Sequence, residues 1–228
     1  MIHYDAIEYF IFKIFKIGIK KKGGGVMFNK RIDTNAPIHE LISARWSGRA
    51  YDPNKMLSRQ QIISLLEAAR WAPSCYGYQP WRYIVCDKAS NESSWSKALE
   101  CLVEGNQVWA KNASLLLLAC ADSKNRNNDE NRWGVYDTGS ASENLCLQAT
   151  ALGLMAHQMG GFSVENSMSY FNIPKRFIPM AMITIGYQLV ENKIPEDMKE
   201  REYSDRVRNS LDMNFFEGTW DTPILISS

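Results

Sequence analysis

The sequence predicts an α+β fold, with about four buried strands and helices around them. Three observations predict it. "SLLLLACA", residues 114 to 121, and "MAMITIGY" are continuous apolar runs of strand length, the pattern of strands buried on both faces. "SRQQIISLLEAARW" and "WGVYDTGSASENLCLQATALG" carry helical patterns around them in the chain. The sequence has no internal repeat and no long low-complexity tract, which excludes a solenoid.

The elements follow in order. "APIHELISARW" reads as a short helix. In the next helix Ser58 and Gln61 form an S-x-x-Q capping box, and Ile62, Leu65, Leu66 and Ala69 recur at helical spacing. "WRYIVC" is a strand ending in Cys86, and "SSWSKALECLVEG" a helix stopped near Gly105. After the strand 114 to 121 comes a polar loop, residues 122 to 131, expected to be mobile. The long helix then ends at Gly153. "LMAHQM" is strand-like, Gly160 and Gly161 make a turn, and Ser163 caps a short helix ending before Pro174. After the last strand, residues 188 to 228 show no core pattern and are too long for an ordinary loop. An arm wrapping a partner subunit would cover their scattered apolar residues.

Composition narrows the function classes. The 228 residues suffice for one domain with a sizeable core, and the net charge of +1 argues against a dedicated nucleic-acid binder. Five cysteines without CxxC spacing and three dispersed histidines give no disulfide framework and no metal motif, and a reducing, cytoplasmic setting fits them. Residues 1 to 26 contain an apolar run interrupted by Lys13 and Lys16, too short and too charged to span a bilayer. They read as an N-terminal extension, dispensable or disordered, or as a segment lying on a membrane surface. The domain proper is expected over 27 to 228.

Three segments carry candidate chemistry. In "SARWSGRAYDP", Arg45, Ser47 and Arg49 alternate; forked guanidiniums with a hydroxyl between them suit a phosphate, although a solvated charged face looks the same. "APSCYGYQPWRY" places small polar groups, a thiol and two phenols between Pro73 and Pro80, while Trp81 reads as core. In "QMGGF" two glycines allow close approach of backbone. Cys75 has no histidine nearby and reads as a liner rather than a nucleophile. His157 reads as a core or interface residue, and Asp137 and Glu143 as structural.

Together "RWSGR", "APSCYGYQPW", "MGGF" and "IGY" resemble, in the same order, the motifs of the nitroreductase family of FMN-dependent oxidoreductases. The resemblance runs from about Pro37 to Val207. It implies a central, mostly antiparallel sheet of four to five strands flanked by helices, a C-terminal arm swapped onto a partner subunit, and a homodimer with FMN at its interface. By that resemblance Arg45, Trp46, Ser47 and Arg49 hold the phosphate end, and Arg206 and Arg208 of "DRVR" complete the clamp. Pro73, Ser74, Cys75 and Gly77 of the other subunit line the ring, with Tyr76 and Tyr78 as a wall. Asn106 meets the pyrimidine edge, and Gln158, Met159, Gly160 and Gly161 pass along the other side, with the Gly160 N–H near flavin N5. Gly77 stands where the family usually has Asn, and Trp109 where one branch has Lys near flavin N1. NAD(P)H is the implied electron donor, docking on the flavin because no GxGxxG motif is present. The acceptor would be a flat electrophile such as a quinone or nitroaromatic. The alternatives are a non-catalytic flavin binder, and enoyl or aldehyde reduction or flavin destruction on the same scaffold.

Overall fold

The computed structural model describes residues 30, 32 and 34–225. The expected extension 1 to 26 lies outside them. Helices α1 (Glu40–Ala44) and α2 (Arg59–Arg70) precede strand β1 (Trp81–Asp87). Helices α3 (Glu92–Cys101) and α4 (Glu104–Ala110) lead to β2 (Leu115–Asp122) and the long α5 (Gly134–Ala151). Then come β3 (Met155–Met159), α6 (Val164–Tyr170), β4 (Phe177–Gly186) and α7 (Glu196–Tyr203).

The four strands form one sheet in the order β1-β2-β4-β3, every pairing antiparallel. All eight residues of β2 are buried, as its continuous apolar run requires. Its side chains alternate between two cores. Leu115, Leu117 and Ala119 join Ile62 and Leu65 of α2 and Leu145 of α5. Leu116, Leu118 and Cys120 join Trp95 of α3 and Trp109 of α4. Helices thus cover both faces, and each buried leucine contributes about 1.5–3 kcal/mol.

Local signals act where the sequence places them. The Ser58–Gln61 capping box closes in both directions. At the end of α5, Gly153 takes φ +70, its N–H donates to Thr150 O, and the Leu154 N–H donates to Ala149 O, a complete Schellman motif. Trp81 is core.

Three expectations are corrected. Gly105 does not stop a helix; it lies in the first turn of α4. The break comes earlier because Leu102 bridges Phe162 and the Val103 N–H donates to Gly161 O, long-range pairings that pull both residues into extended backbone. The polar loop is ordered by its own side chains. Asn125 Oδ1 accepts from the N–H groups of Asn127 and Asp129, and buried Asp122 pairs with Arg176 at 2.6 and 2.8 Å. The tail is not featureless as far as Arg206: Ile194 is buried and Met198 packs on the second core. Beyond Arg206 it is open, with Val207, Met213, Phe215 and Trp220 all exposed.

Candidate functional site

Residues 45–50 run extended, and their exposure alternates. Trp46, Gly48 and Ala50 are buried, whereas Arg45, Ser47 and Arg49 reach outward on one face. Gly48 is required by close approach: a Cβ there would lie 2.1 Å from Met155 Sδ and 2.8 Å from Trp46 Cη2. The segment therefore lies flush against β3. Arg45 Nε sits 3.2 Å from Glu143 Oε1, and the Arg49 guanidinium lies 5.8 Å from the centre of the Trp109 ring. Trp46 departs from its expected place at the phosphate. It packs in the second core with Lys30 over its ring, so only its backbone borders the outward face.

The tail returns to this segment. Arg206 donates to Ser43 O at 2.6 Å and to Arg45 O at 2.7 Å. Both terminal nitrogens thus brace the backbone of the segment, with three of the five guanidinium N–H groups left over. Arg208 is exposed and donates to Val207 O. Burial lowers the Arg206 pKa, and repulsion from Arg45 and Arg208 lowers it further. The His157 ring lies tilted against Trp109, centroids 4.7 Å apart, and its Nδ1 lies 3.1 Å from Gly48 O. A carbonyl only accepts, so Nδ1 carries the proton. Burial pulls the His157 pKa down to about 4, with Arg49 and Arg45 adding to that against the Gly48 hydrogen bond. Lys30, Arg45, Arg49, Arg206 and Arg208 thus gather where Glu143, Glu202 and Asp205 are the neighbouring acids. This cationic surplus, with an exposed hydroxyl in its middle, fits a dianionic phosphate.

The glycine turn adjoins this face. Gln158 donates to Glu143 Oε2 at 3.4 Å, so one carboxylate touches both Arg45 and Gln158. Asn106 donates to Gly161 O at 3.2 Å, and a Cβ on Gly161 would lie 2.9 Å from the Asn106 amide nitrogen. Gly160 is exposed, with open space beside it. Met159 turns its side chain into the second core, which leaves only its backbone for a ligand. Trp109 is also corrected: it is buried against Tyr51 and His157, inside the protein rather than along an open edge.

The loop after α2 forms a separate cluster. Tyr76, Gly77 and Gln79 have φ of 51°, 64° and 49°. A left-handed backbone at position 77 explains why Gly serves where the family has Asn, the residue that best tolerates this region after glycine. Ser74 Oγ accepts from the Gln79 N–H at 3.0 Å, and Asp137 Oδ2 accepts from the Cys75 N–H at 3.0 Å. Tyr76 and Tyr78 lie 5.6 Å apart, and Arg126 donates to Gly77 O while covering Tyr78. Pro73, Ser74 and Gly77 line an open recess of about 370 Å³ together with Trp71 and Gln79. Arg70 also lines it, but none of Arg45, Arg49, Arg206 and Arg208 does. Helix α5 carries both clusters, the loop at Asp137 and the basic face at Glu143, about 9 Å apart along its axis.

Most predicted residues are therefore assembled: Arg45, Ser47, Arg49, Asn106, Gln158, Gly160, Gly161 and Arg208 around one face, and Pro73, Ser74, Cys75 and Gly77 in the other. Glu202 and Arg126 are additions. Both sit in polar stretches without a periodic signal, and only the fold reveals them.

The chain is similar to known proteins in sequence and fold. A provisionally named NADH dehydrogenase/NAD(P)H nitroreductase of Archaeoglobus fulgidus is 29% identical over 165 residues, covering 71% of this chain and 87% of that protein. The solved structure of an oxidoreductase containing FMN is 34% identical with a TM-score of 0.76, covering 86% of this chain and 99% of the other. A nitroreductase family protein of Clostridium difficile 630 superposes with a TM-score of 0.62 at 25% identity, covering 82% and 99%. Residues 42–187, from the end of α1 through β4, match the nitroreductase family. That span contains Arg45, Ser47 and Arg49 of the basic face, the loop and the glycine turn, and the chain belongs to the nitroreductase family.

Proposed function

We propose that this chain is an FMN-dependent NAD(P)H oxidoreductase that works as a homodimer. The observation that carries the reading is that Glu143 touches both Arg45 and Gln158 beside the glycine turn, while Arg49 lies over Trp109, three residues after the Asn106 that holds Gly161. Cations for a phosphate and an amide beside bare backbone for a flat ring stand side by side. Arg45, Arg49 and Arg208 hold the phosphate through charge-assisted hydrogen bonds, with Ser47 as a further donor. Asn106 presents its amide to the ring edge, and Gly160 leaves backbone open where the ring lies. FMN bound there supplies a ring that takes a hydride from NAD(P)H and passes electrons to an acceptor.

Pro73, Ser74, Cys75 and Gly77 complete the site from the partner subunit, which accounts for a loop set apart from the basic face of its own chain. The described residues contain no separate nucleotide fold, so nicotinamide and acceptor use the same pocket in turn. Flat electrophiles such as quinones and nitroaromatics are the fitting acceptors. The five cysteines are free, in keeping with a reducing, cytoplasmic setting. Among the described residues no helix is long and apolar enough to cross a membrane.

Anaerobic titration tests the proposal. The purified chain should show a flavin absorption band that bleaches with NADH or NADPH and returns on adding a quinone. A coloured protein that neither donor bleaches would make it a flavin binder without this activity.

A further inference from the structure

Glu202 is fully buried, although the helix that carries it is polar on nearly every face. The α7 sequence is EDMKEREY, and Glu202 is its one buried residue. Its Oε1 accepts from the Arg49 N–H at 2.8 Å, the Ala50 N–H also faces the carboxylate with Lys30 and Arg49 as the nearby cations, and Oε2 is buried without a full hydrogen bond among the described residues. Burying a carboxylate is costly unless it is paired. The apolar gain of α7, through Met198, is small. Core packing alone therefore does not explain the carboxylate.

Its placement does. The segment 43–49 is gripped by the tail at three backbone points: Ser43 O and Arg45 O by Arg206, and Arg49 N by Glu202. Side chains of an extended segment alternate faces, so a shift of one residue would turn Arg45, Ser47 and Arg49 inward. We propose that Glu202 is a positioning residue for the phosphate-binding face, fixing the backbone at Arg49 so that these three groups point outward in one register. The proposal rests on the reading of that face as the FMN phosphate site. Coulomb's law gives it a distinguishing sign. An anion beside a phosphate repels it, so removing Glu202 would strengthen phosphate binding if charge were its whole effect. If it positions the backbone, removal weakens binding.

The test is a competition. The full-length protein is equilibrated with an equimolar excess of FMN and riboflavin, and the retained flavins are separated and quantified. Loss of folded protein lowers both equally, so their ratio reports the phosphate alone. Wild type should retain FMN in preference. Glu202→Ala should lose about tenfold of that preference, the scale of one hydrogen bond to a charged group. Glu202→Gln, which keeps an acceptor at the same reach, should stay within about threefold of wild type. Should Glu202→Ala not fold, Glu202→Asp, one methylene too short for the Arg49 N–H, should lose preference several-fold. A Glu202→Ala or Glu202→Asp protein that prefers FMN as strongly as wild type, or a Glu202→Gln protein as impaired as Glu202→Ala, would overturn the positioning role and leave the phosphate site standing. Equal retention of FMN and riboflavin by wild type would overturn the phosphate reading, and the positioning role with it.

Discussion

Asp137 Oδ2 accepts the backbone N–H of Cys75 at 3.0 Å, so a buried carboxylate on α5 fixes the tip of a loop 62 residues earlier in the chain. Asp137→Ala would leave a partly buried N–H unmatched, at a cost of about 1–3 kcal/mol. Asp137→Asn keeps an acceptor and should lose less. Urea unfolding of the two variants checks the order, and a destabilised Asn variant beside an unaffected Ala variant would contradict it.

The phosphate face predicts separate effects on two ligands. Arg45→Ala, Arg49→Ala and Arg208→Ala should each weaken FMN binding by about 1.5–3 kcal/mol. Riboflavin, which lacks the phosphate, should bind nearly as before. Calorimetric titration with both flavins decides; parallel losses would place these arginines elsewhere.

His157 predicts a pH dependence. Its folded pKa of about 4 lies below the ordinary 6.5, so the unfolded chain binds the proton more readily. Its stabilising contribution is complete above pH 6.5 and is lost as pH falls toward 4, at most about 3 kcal/mol. Glu143 and Glu202, raised by burial, act with the opposite sign: what they contribute is lost as pH rises through their folded values. The difference between wild type and His157→Asn isolates the histidine. Asn keeps a donor for Gly48 O and does not titrate, so its stability should vary less across that window. Identical pH profiles would show that His157 titrates normally.

Asp122 and Arg176 predict an effect at lower pH. Burial raises the Asp122 pKa, but the paired guanidinium and the Lys124 N–H more than offset it, leaving the pKa below the ordinary value. The stability so gained is present above about pH 3.9 and lost as pH falls through the lower folded value. Arg176→Ala should be less stable than wild type at neutral pH and closer to it in acid. Urea midpoints at the two pH values measure this, and a gap that widens in acid would reverse the sign.

The tail divides at Arg206. A chain ending at Asn209 keeps Glu202 and Arg206 and removes the exposed Met213, Phe215 and Trp220. It should remain folded but associate more weakly. Light scattering coupled to gel filtration should show a lower mass than full-length protein, and an unchanged dimer would remove the arm from the interface.

Sequence patterns carried the fold where physics is local or strictly periodic. The runs of β2 and β4 are apolar but for Asp122 and Thr184 because helices cover both faces of the sheet, and the Ser58 box and Gly153 act within one helical turn. The break before α4 was hidden because its cause, pairing with Gly161 and Phe162, lies far along the chain. The site shows the same division. The alternation in "RWSGR" put Arg45, Ser47 and Arg49 on one face, and the structure keeps them there, while the same alternation sends Trp46 inward. The family resemblance offered Arg206 as a phosphate ligand, and its hold on the carbonyls of Ser43 and Arg45 had no signal in the sequence, because a carbonyl partner leaves none. Glu202 gave no signal, since its partner is a backbone N–H 153 residues away.

Tyr76 holds φ 51° while its ring stands 84% exposed. A left-handed backbone costs a bulky residue about 1–2 kcal/mol, and the ring recovers almost nothing from the core. Asparagine or glycine would suit that torsion better and leave a calmer loop. The position therefore works against the stability of the isolated chain. In the proposed dimer, a partner surface or a flavin ring covering the tyrosine from outside would offset that cost. A strained torsion under an exposed ring is then a place where assembly, rather than folding, would recover the energy spent.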